Sequence, residues 1–291
     1  MSVPLRTQLF NVFRLVNRIP KVEKWLVKQS KSKNSFARKL IGNQNLYSPK
    51  DIRICTLHGI NYQLQINDYL DHGIYFGMHD LSDFSRTSLL KNIQAGMIVF
   101  DIGANIGDSV LQIAKKLNGT GSIYAFEPSP DVFQRLNRNV SLNNFNNIET
   151  FNLGMADVES QLSFVVEDKN HSGGAFISKD ANNAIKVAVT TIDKFVAEHN
   201  LSKLDFLKID TEGFEVFVLK GGVNTFRNFK PKMFIEVSDS LLKRAGSSAK
   251  ELIQILNELN YHSVRVDTQE NITEDYNFAE QHFDIYCTPL T

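Results

Sequence analysis

The sequence predicts an α/β fold in which a mostly parallel sheet is covered by helices on both faces. From Met97 onward, short apolar runs of strand composition alternate with segments of helical period, a pattern typical of parallel sheets. Seven such runs occur, in the order MIVFDIG, SIYAFEP, IETFNLG, LDFLKID, PKMFIEV, YHSVRVD and FDIYCTP. Because a polar connection without a helix joins the last two runs, we expect one antiparallel strand in a seven-stranded sheet.

One region departs from this alternation. Between Ala156 and Asp193, the segments LSFVVE and KVAVTTID flank a loop rich in Gly and Asn, which predicts an inserted β-hairpin. Elsewhere, helices are expected to start near Asp108, Pro130, Gly213 and Ser248.

Two segments precede the alternating region. Residues 1–50 are interpreted as a helical arm and linker, and residues 51–95 as a β-hairpin around His58-Gly59 followed by a cap helix, LSDFSRTSLLKNI. Residues 96–291 then make up the main, ligand-binding domain. The two cysteines, Cys55 and Cys287, form no CxxC pair, so we expect neither a zinc site nor a disulfide framework, and a reduced, cytoplasmic compartment.

The first fifty residues are strongly basic. They contain eleven Lys or Arg and one acid, Glu23, a balance of +10 that leaves −10 for the rest of this neutral chain. Apolar residues at helical spacing on both sides of Pro20 predict two short helices. Such an arm can cap the main domain, bind nucleic acid or serve as a transit sequence, and residues 1–30 can also contact an anionic membrane from its inner face. Charged residues interrupt every apolar run there, so no membrane-spanning segment is predicted.

The stretch VFDIGANIGD, Val99 to Asp108, contains the first strand and the turn that follows it. Gly103 and Gly107 allow a tight bend and a close approach to a ligand, and Asn105 tolerates a left-handed backbone. This segment has no lysine where a phosphate-binding Walker loop requires one, and it lacks the full glycine pattern of the NAD fingerprint. It suits a ligand with an amino-acid end, whose ammonium can approach the Asp101 carboxylate.

A second acid follows the next strand. Glu127, in AFEP, stands where a carboxylate can accept hydrogen bonds from the two hydroxyls of a ribose. Pro128 favours an extended backbone at Glu127, which helps to aim the side chain. A nucleoside joined to an amino acid describes S-adenosylmethionine.

With these motifs the sequence resembles the FkbM-type S-adenosylmethionine-dependent methyltransferases. The likeness runs roughly from Ile52 to Asp267 and is carried by VFDIGANIGD, AFEP, VTTID and above all FLKIDTEGFEVFVLKG. It implies a class I methyltransferase fold, which is Rossmann-like, and an O-methyltransferase acting on a hydroxyl, commonly of a sugar or a secondary metabolite. It further implies that the cofactor contacts are Asp101, Gly103, Asn105, Gly107, Glu127 and Asp210.

The same resemblance places Asp210, Glu212 and Gly213 beside the transferred methyl group. Thr211 is a departure, because family members often carry a branched apolar residue at that position.

Methylation of a hydroxyl requires a group that accepts its proton. Glu212 is the leading candidate for this base, and Asp210 is expected to lie on the cofactor side. His171, in the loop segment KNHSGGAF, is another candidate because imidazole titrates near neutral pH. Glu236, in FIEV, is a further inward-facing candidate, and with Asp210 it could form a metal pair. No HxxxH or DxD pattern accompanies these two acids, so no metal is predicted.

A group of histidines and aromatic residues lies in DHGIYFGMHD. His72 and His79 could line the acceptor side, covered by Tyr75 and Phe76. A role in the core is the preferred interpretation.

Two other functions stay open from the sequence, an NAD-type nucleotide-dependent oxidoreductase and a non-catalytic module that binds the cofactor. The expected partner is a small-molecule or glycan acceptor. Nucleic acid is disfavoured, because KIDTEG stands where base methyltransferases carry an NPPY-like segment and the main domain is acidic. The sequence predicts neither the acceptor's identity nor an oligomeric state, since loops that build acceptor pockets follow no transferable code.

Overall fold

The computed structural model describes residues 15–30, 36–78, 83–166, 175–177, 185–279 and 281–290. The described residues form two compact units, one ending at Asp83 and the other starting at Phe84. Two residues with predicted roles, His79 and His171, lie outside the described residues.

The first unit consists of short helices and a β-hairpin. Its helices are α1 (Pro20–Ser30), α2 (Phe36–Leu40) and α3 (Tyr69–Tyr75), with 3-10 helices at Leu15–Arg18 and Gln44–Leu46. The hairpin joins β1 (Ile52–Leu57) and β2 (Ile60–Gln65), as predicted. His58 and Gly59 make the turn with φ angles of 50° and 75°, which a two-residue hairpin turn of this hand requires.

Glu23 fixes the position of α1 within this unit. Its buried carboxylate accepts hydrogen bonds from Arg53 Nε at 2.6 Å and Nη2 at 2.9 Å, and from the Tyr75 hydroxyl at 2.7 Å. Pro20 opens the helix, where its missing N–H costs no hydrogen bond. The single acid of the basic arm therefore lies inside the unit.

His72, Tyr75 and Phe76 are core residues of the first unit. All three are buried, and the His72 ring centroid lies 4.7 Å from that of Phe76 and 5.8 Å from that of Tyr47. The core interpretation is therefore confirmed for the described histidine of this segment. None of the helices in the described parts of the chain is long and apolar enough to cross a membrane.

The second unit is an α/β structure. Its strands are β3 (Ile98–Ile102), β4 (Ser122–Phe126), β5 (Ile148–Phe151), β6 (Gly154–Met155), β7 (Ser160–Val166), β8 (Ala175–Ile177), β9 (Ile185–Thr190), β10 (Phe206–Ile209), β11 (Lys232–Ser238), β12 (Tyr261–Arg265) and β13 (His282–Pro289). Its helices are α4 (Asp83–Lys91), α5 (Asp108–Leu117), α6 (Pro130–Ser141), α7 (Ile192–Glu198), α8 (Glu215–Lys220), α9 (Val223–Phe229), α10 (Asp239–Ala245) and α11 (Ala249–Glu258).

The main sheet has seven strands in the order β12-β13-β11-β10-β3-β4-β5. All neighbours are parallel except β13, which runs antiparallel to both β11 and β12. This confirms the predicted class I methyltransferase sheet, including its single antiparallel strand. Since β3 and β10 are neighbours at the centre, the turns that follow them meet at one edge.

The inserted segment is richer in strands than predicted. β7 and β9 pair antiparallel as the expected hairpin, but β8, within the predicted loop, also pairs with β7. β6 adds a parallel partner to β9 and completes a four-stranded sheet. A strand of three residues shows little periodicity in the sequence, so β8 could not be distinguished from the loop rich in Gly and Asn around it.

Each face of the main sheet has its own apolar layer. On one face Phe100, Phe126 and Phe195 meet edge to face, with ring centroids 4.8 to 5.5 Å apart. On the other face, α5 buries Val110 and Ile113 against the sheet. That contact holds the start of α5 at the turn after β3.

Candidate active site

The turn after β3 requires glycine at two positions. Gly103 has φ +82°, and a Cβ added there would lie 1.7 Å from the backbone oxygen of Asp210. Gly107 has φ +90°, and its Cβ would lie 2.6 Å from Leu136 Cδ1. Asn105 adopts φ +48°, the left-handed backbone expected of it. The turn is therefore pressed against the end of β10 and leads directly into α5.

Glu127 joins two turns at the edge of the sheet. Its Oε2 accepts a hydrogen bond from Asn105 N at 3.0 Å, and its Oε1 accepts one from Ser129 N at 2.9 Å. The residue is only 7% exposed, and burial raises the pKa of its carboxyl to about 7. Each oxygen keeps a second lone pair, so the fixed carboxylate can accept further hydrogen bonds from a ligand.

Asp101 is part of a buried ionic group. It has no exposed surface, and its carboxylate accepts a hydrogen bond from the Ser109 hydroxyl. Lys208 Nζ lies 3.5 Å from Asp101 Oδ1 and 3.0 Å from Asp210 Oδ2. Burial raises the pKa of Asp101. In this structure Asp101 anchors Ser109 and Lys208, and a contact with a cofactor ammonium stays a prediction.

Lys208 is a site residue that the sequence interpretation missed. Burial alone would lower the pKa of Lys208, but the charges of Asp101 and Asp210 raise it overall. The available signal was a lysine in the apolar strand FLKID, two residues before Asp210 and hence on the same face of the strand. The ion pair keeps Asp210 in place beside the turn after β3.

The turn TEG after β10 is shaped by a second missed residue, Glu215. The Glu215 side chain is buried, and its Oε1 accepts three hydrogen bonds: from Thr211 N at 2.8 Å, from Thr211 Oγ1 at 2.9 Å and from Gly213 N at 3.2 Å. Glu212, between these donors, has φ +54°, a left-handed backbone that is uncommon for glutamate. Glu215 therefore stabilises the strained backbone conformation of Glu212. Thr211, the residue that departs from the family pattern, therefore has a structural role, because its hydroxyl donates one of these hydrogen bonds.

The Glu212 carboxyl lies in an environment suited to proton transfer. Burial, followed by the charges of Asp210 and Glu215, raises its pKa to about 8. A carboxyl with a pKa near the working pH can take up a proton from a bound hydroxyl group and later release it.

The neighbouring strands β11 and β13 add three polar residues. His282 Nε2 lies 3.0 Å from Glu236 Oε1, so Glu236 is paired with a histidine. Asp284 accepts a hydrogen bond from the Ser85 hydroxyl, and burial raises its pKa to about 7. No role was predicted for His282 or Asp284, because their contacts depend on the antiparallel register of the last strand.

The sheet gathers most of the predicted site residues. At or just after the carboxyl ends of the adjacent strands β10, β3 and β4 lie Asp101, Gly103, Asn105, Gly107, Glu127, Asp210 and Glu212. Glu236 lies near the end of the next strand, β11. This edge combines a glycine turn, a fixed buried carboxylate and acidic groups, which can bind a polar cationic ligand beside a proton acceptor.

Comparison with known proteins gives a match to one family model. The model of the methyltransferase FkbM domain matches residues 101–263, which include the turn after β3, Glu127 and the TEG turn. Hexuronic acid methyltransferase AglP of Haloferax volcanii is 28% identical over 172 residues, covering 58% of this chain and 65% of that protein. Methyltransferase 1 of Beauveria bassiana is 26% identical over 176 residues, covering 54% of this chain and 70% of that protein.

One solved structure with a related name is the methyltransferase FkbM of Methylobacillus flagellatus KT. It superposes with a TM-score of 0.42 at 15% identity, covering 75% of this chain and 65% of that one.

Proposed function

The chain belongs to the FkbM family of methyltransferases, and we propose that it is an S-adenosylmethionine-dependent O-methyltransferase that acts on a sugar hydroxyl. The observation that carries the proposal is Glu127, whose two carboxylate oxygens tie the turn after β3 to the turn after β4. The relative AglP is named a hexuronic acid methyltransferase, which supports a sugar acceptor.

The residues at this edge fit the proposed cofactor. The second lone pairs of Glu127 would accept hydrogen bonds from the ribose hydroxyls. The bend at Gly103 and Gly107, pressed against the end of β10, brings the backbone of the turn and the N-terminus of α5 to this edge of the sheet. Asp210, which forms an ion pair with Lys208, would favour the positively charged end of the molecule. The cofactor would supply a methyl group on a cationic sulfur.

Glu212 is proposed to accept the proton of the acceptor hydroxyl. The cofactor would supply the methyl group to the acceptor oxygen and leave as a neutral sulfide, and the hydroxyl proton would move to the Glu212 carboxylate. The buried Glu215 holds the backbone that presents this carboxylate, through its bonds to Thr211 and Gly213. Burial, and after it the negative charge of Asp210, raises the pKa of Glu212, so Asp210 would act through its charge and Glu212 would be the base.

Transfer of a deuterated methyl group tests the reaction and its acceptor class together. We would incubate the protein with labelled S-adenosylmethionine and a panel of neutral hexosides and uronosides, and analyse the products by mass spectrometry. The expected product is an alkali-stable methyl ether. An alkali-labile methyl ester would show a carboxylate acceptor, which needs no base, and would contradict the role of Glu212. Absence of transfer to any hydroxyl in the panel would contradict the sugar acceptor.

A further inference from the structure

One exposed face of α1, in the first unit, combines lysines with the chain's single tryptophan. Lys21, Lys24, Trp25 and Lys28 are all exposed. Their spacing of three, four and seven residues places them on one side of the helix. Trp25 is 50% exposed, although tryptophan is usually a largely buried side chain.

The opposite face of α1 fixes this orientation. Glu23 is held by Arg53 and Tyr75, and Leu26 is buried below it. One turn further along, the Ser30 hydroxyl donates a 2.6 Å hydrogen bond to the carbonyl oxygen of Phe76. Rotation of the helix to bury Trp25 would break the buried ion pair between Glu23 and Arg53 and would expose Leu26. The basic face is therefore a stable outer surface of the first unit.

The charge on this face is not balanced locally. Glu23 is the only acid among the first fifty residues, and it is buried with its own arginine. Within the described residues, none of the three lysines of this face forms an ion pair. Just before the helix, Val16 and Ile19 are 47% and 50% exposed and add apolar surface.

We propose that this face of α1 binds the surface of an anionic phospholipid membrane. Lysines are attracted to the negative headgroups, while the amphipathic tryptophan ring inserts at the level between the headgroups and the acyl chains. A nucleic-acid duplex would use the lysines but would leave Trp25 and its apolar neighbours in water, because its bases are already stacked on each other, and a single strand would cover the tryptophan ring but not Val16 and Ile19. The combination of both kinds of side chain favours the membrane. Docking of this kind is independent of the methyl-transfer chemistry.

The single tryptophan makes the interaction directly measurable in the full chain. Trp25 fluorescence would be recorded with vesicles of phosphatidylcholine alone and with vesicles that contain about 30% phosphatidylglycerol, with and without brominated lipid. We expect a blue shift and quenching by brominated lipid only with the anionic vesicles, reversed by high salt. Emission that anionic vesicles leave unchanged would overturn the proposal without any mutation.

A matched pair of triple variants tests the assigned face. Lys21→Gln, Lys24→Gln and Lys28→Gln together should weaken co-sedimentation with anionic vesicles on the order of a hundredfold, since each lysine contributes about a fivefold gain. The control changes three exposed lysines of the second unit, Lys115→Gln, Lys116→Gln and Lys250→Gln, and removes the same total charge.

The control variant should bind as the wild type does. Equal loss in both variants would show diffuse charge attraction and overturn the assignment to α1. Binding of single-stranded DNA by a protein that ignores anionic vesicles would also overturn it. Circular dichroism confirms that each variant is folded.

Discussion

Glu127→Gln probes the carboxylate that joins the two turns of the site. Burial raises the pKa of Glu127 to about 7 in the folded protein, from an ordinary value of 4.5. The folded state thus holds this proton more tightly than the unfolded state does, which stabilises the protein at low pH. This contribution falls as the pH rises through the folded pKa. At 1.36 kcal/mol per pKa unit, the wild type loses about 2.5 kcal/mol of it between pH 5 and pH 8.

Glutamine does not titrate, so the variant lacks this loss. In the variant, an NH2 group replaces one of the two oxygens and cannot accept a hydrogen bond from the backbone N–H that faces it. The variant should therefore be less stable than the wild type at pH 5 by about 1 to 3 kcal/mol. Urea unfolding of both proteins at pH 5 and pH 8 gives the difference in unfolding free energy, in which contributions of other groups cancel. Between pH 5 and pH 8, the free energy of unfolding of the variant should rise relative to that of the wild type by about 2.5 kcal/mol.

The control is Glu149→Gln, at an exposed position of β5. Because this side chain is exposed, the substitution should change the free energy of unfolding by less than about 0.5 kcal/mol at either pH. A difference for Glu127→Gln that stays constant within about 0.5 kcal/mol would refute the account of this carboxylate.

Three further substitutions test the remaining parts of the site. Lys208→Met leaves Asp101 buried without its cation and should cost about 3 to 5 kcal/mol in urea unfolding, and a loss below about 1 kcal/mol would contradict the ion pair. Thr211→Val keeps the side-chain shape but removes the hydroxyl bond to Glu215, so unfolding free energy should fall by about 1 kcal/mol, and an unchanged value would deny that bond a role. Glu212→Gln should leave cofactor affinity near normal and lower turnover, and wild-type kcat should rise with pH through about 8, because the base must be deprotonated. A flat wild-type profile would exclude Glu212 as the base.

Local sequence patterns were sufficient for the features that depend on few neighbouring residues. The turn after β3 could be predicted because Gly103 and Gly107 supply backbone angles that other residues avoid, and Asn105 tolerates its own. The antiparallel strand β13 followed from the lack of a helix before it. Glu127 was identified by its place at a strand end.

Contacts between distant segments could not be predicted in the same way. Lys208 meets Asp101 because the register pairs these two residues across β10 and β3, which lie more than one hundred positions apart in the chain. The contact of His282 with Glu236 likewise depends on the antiparallel register of β13 against β11. No periodicity in the sequence encodes these registers.

Glu215 represents an intermediate case. It lies four residues after Thr211, within one helical turn, and an acid in the first turn of a helix is a common partner of exposed backbone N–H groups. The spacing alone did not reveal that one oxygen would accept three hydrogen bonds. That geometry arises only when Glu212 and Gly213 both take a left-handed backbone.

The most direct test of the proposed function is calorimetric titration of the full chain with S-adenosylhomocysteine and, separately, with NAD. We expect saturable binding of S-adenosylhomocysteine and no response to NAD. Glu127→Ala should weaken the first ligand tenfold or more, on the order of a lost hydrogen bond to a charged group. Tight binding of NAD without a response to S-adenosylhomocysteine would contradict the proposal, as would an affinity that Glu127→Ala leaves unchanged.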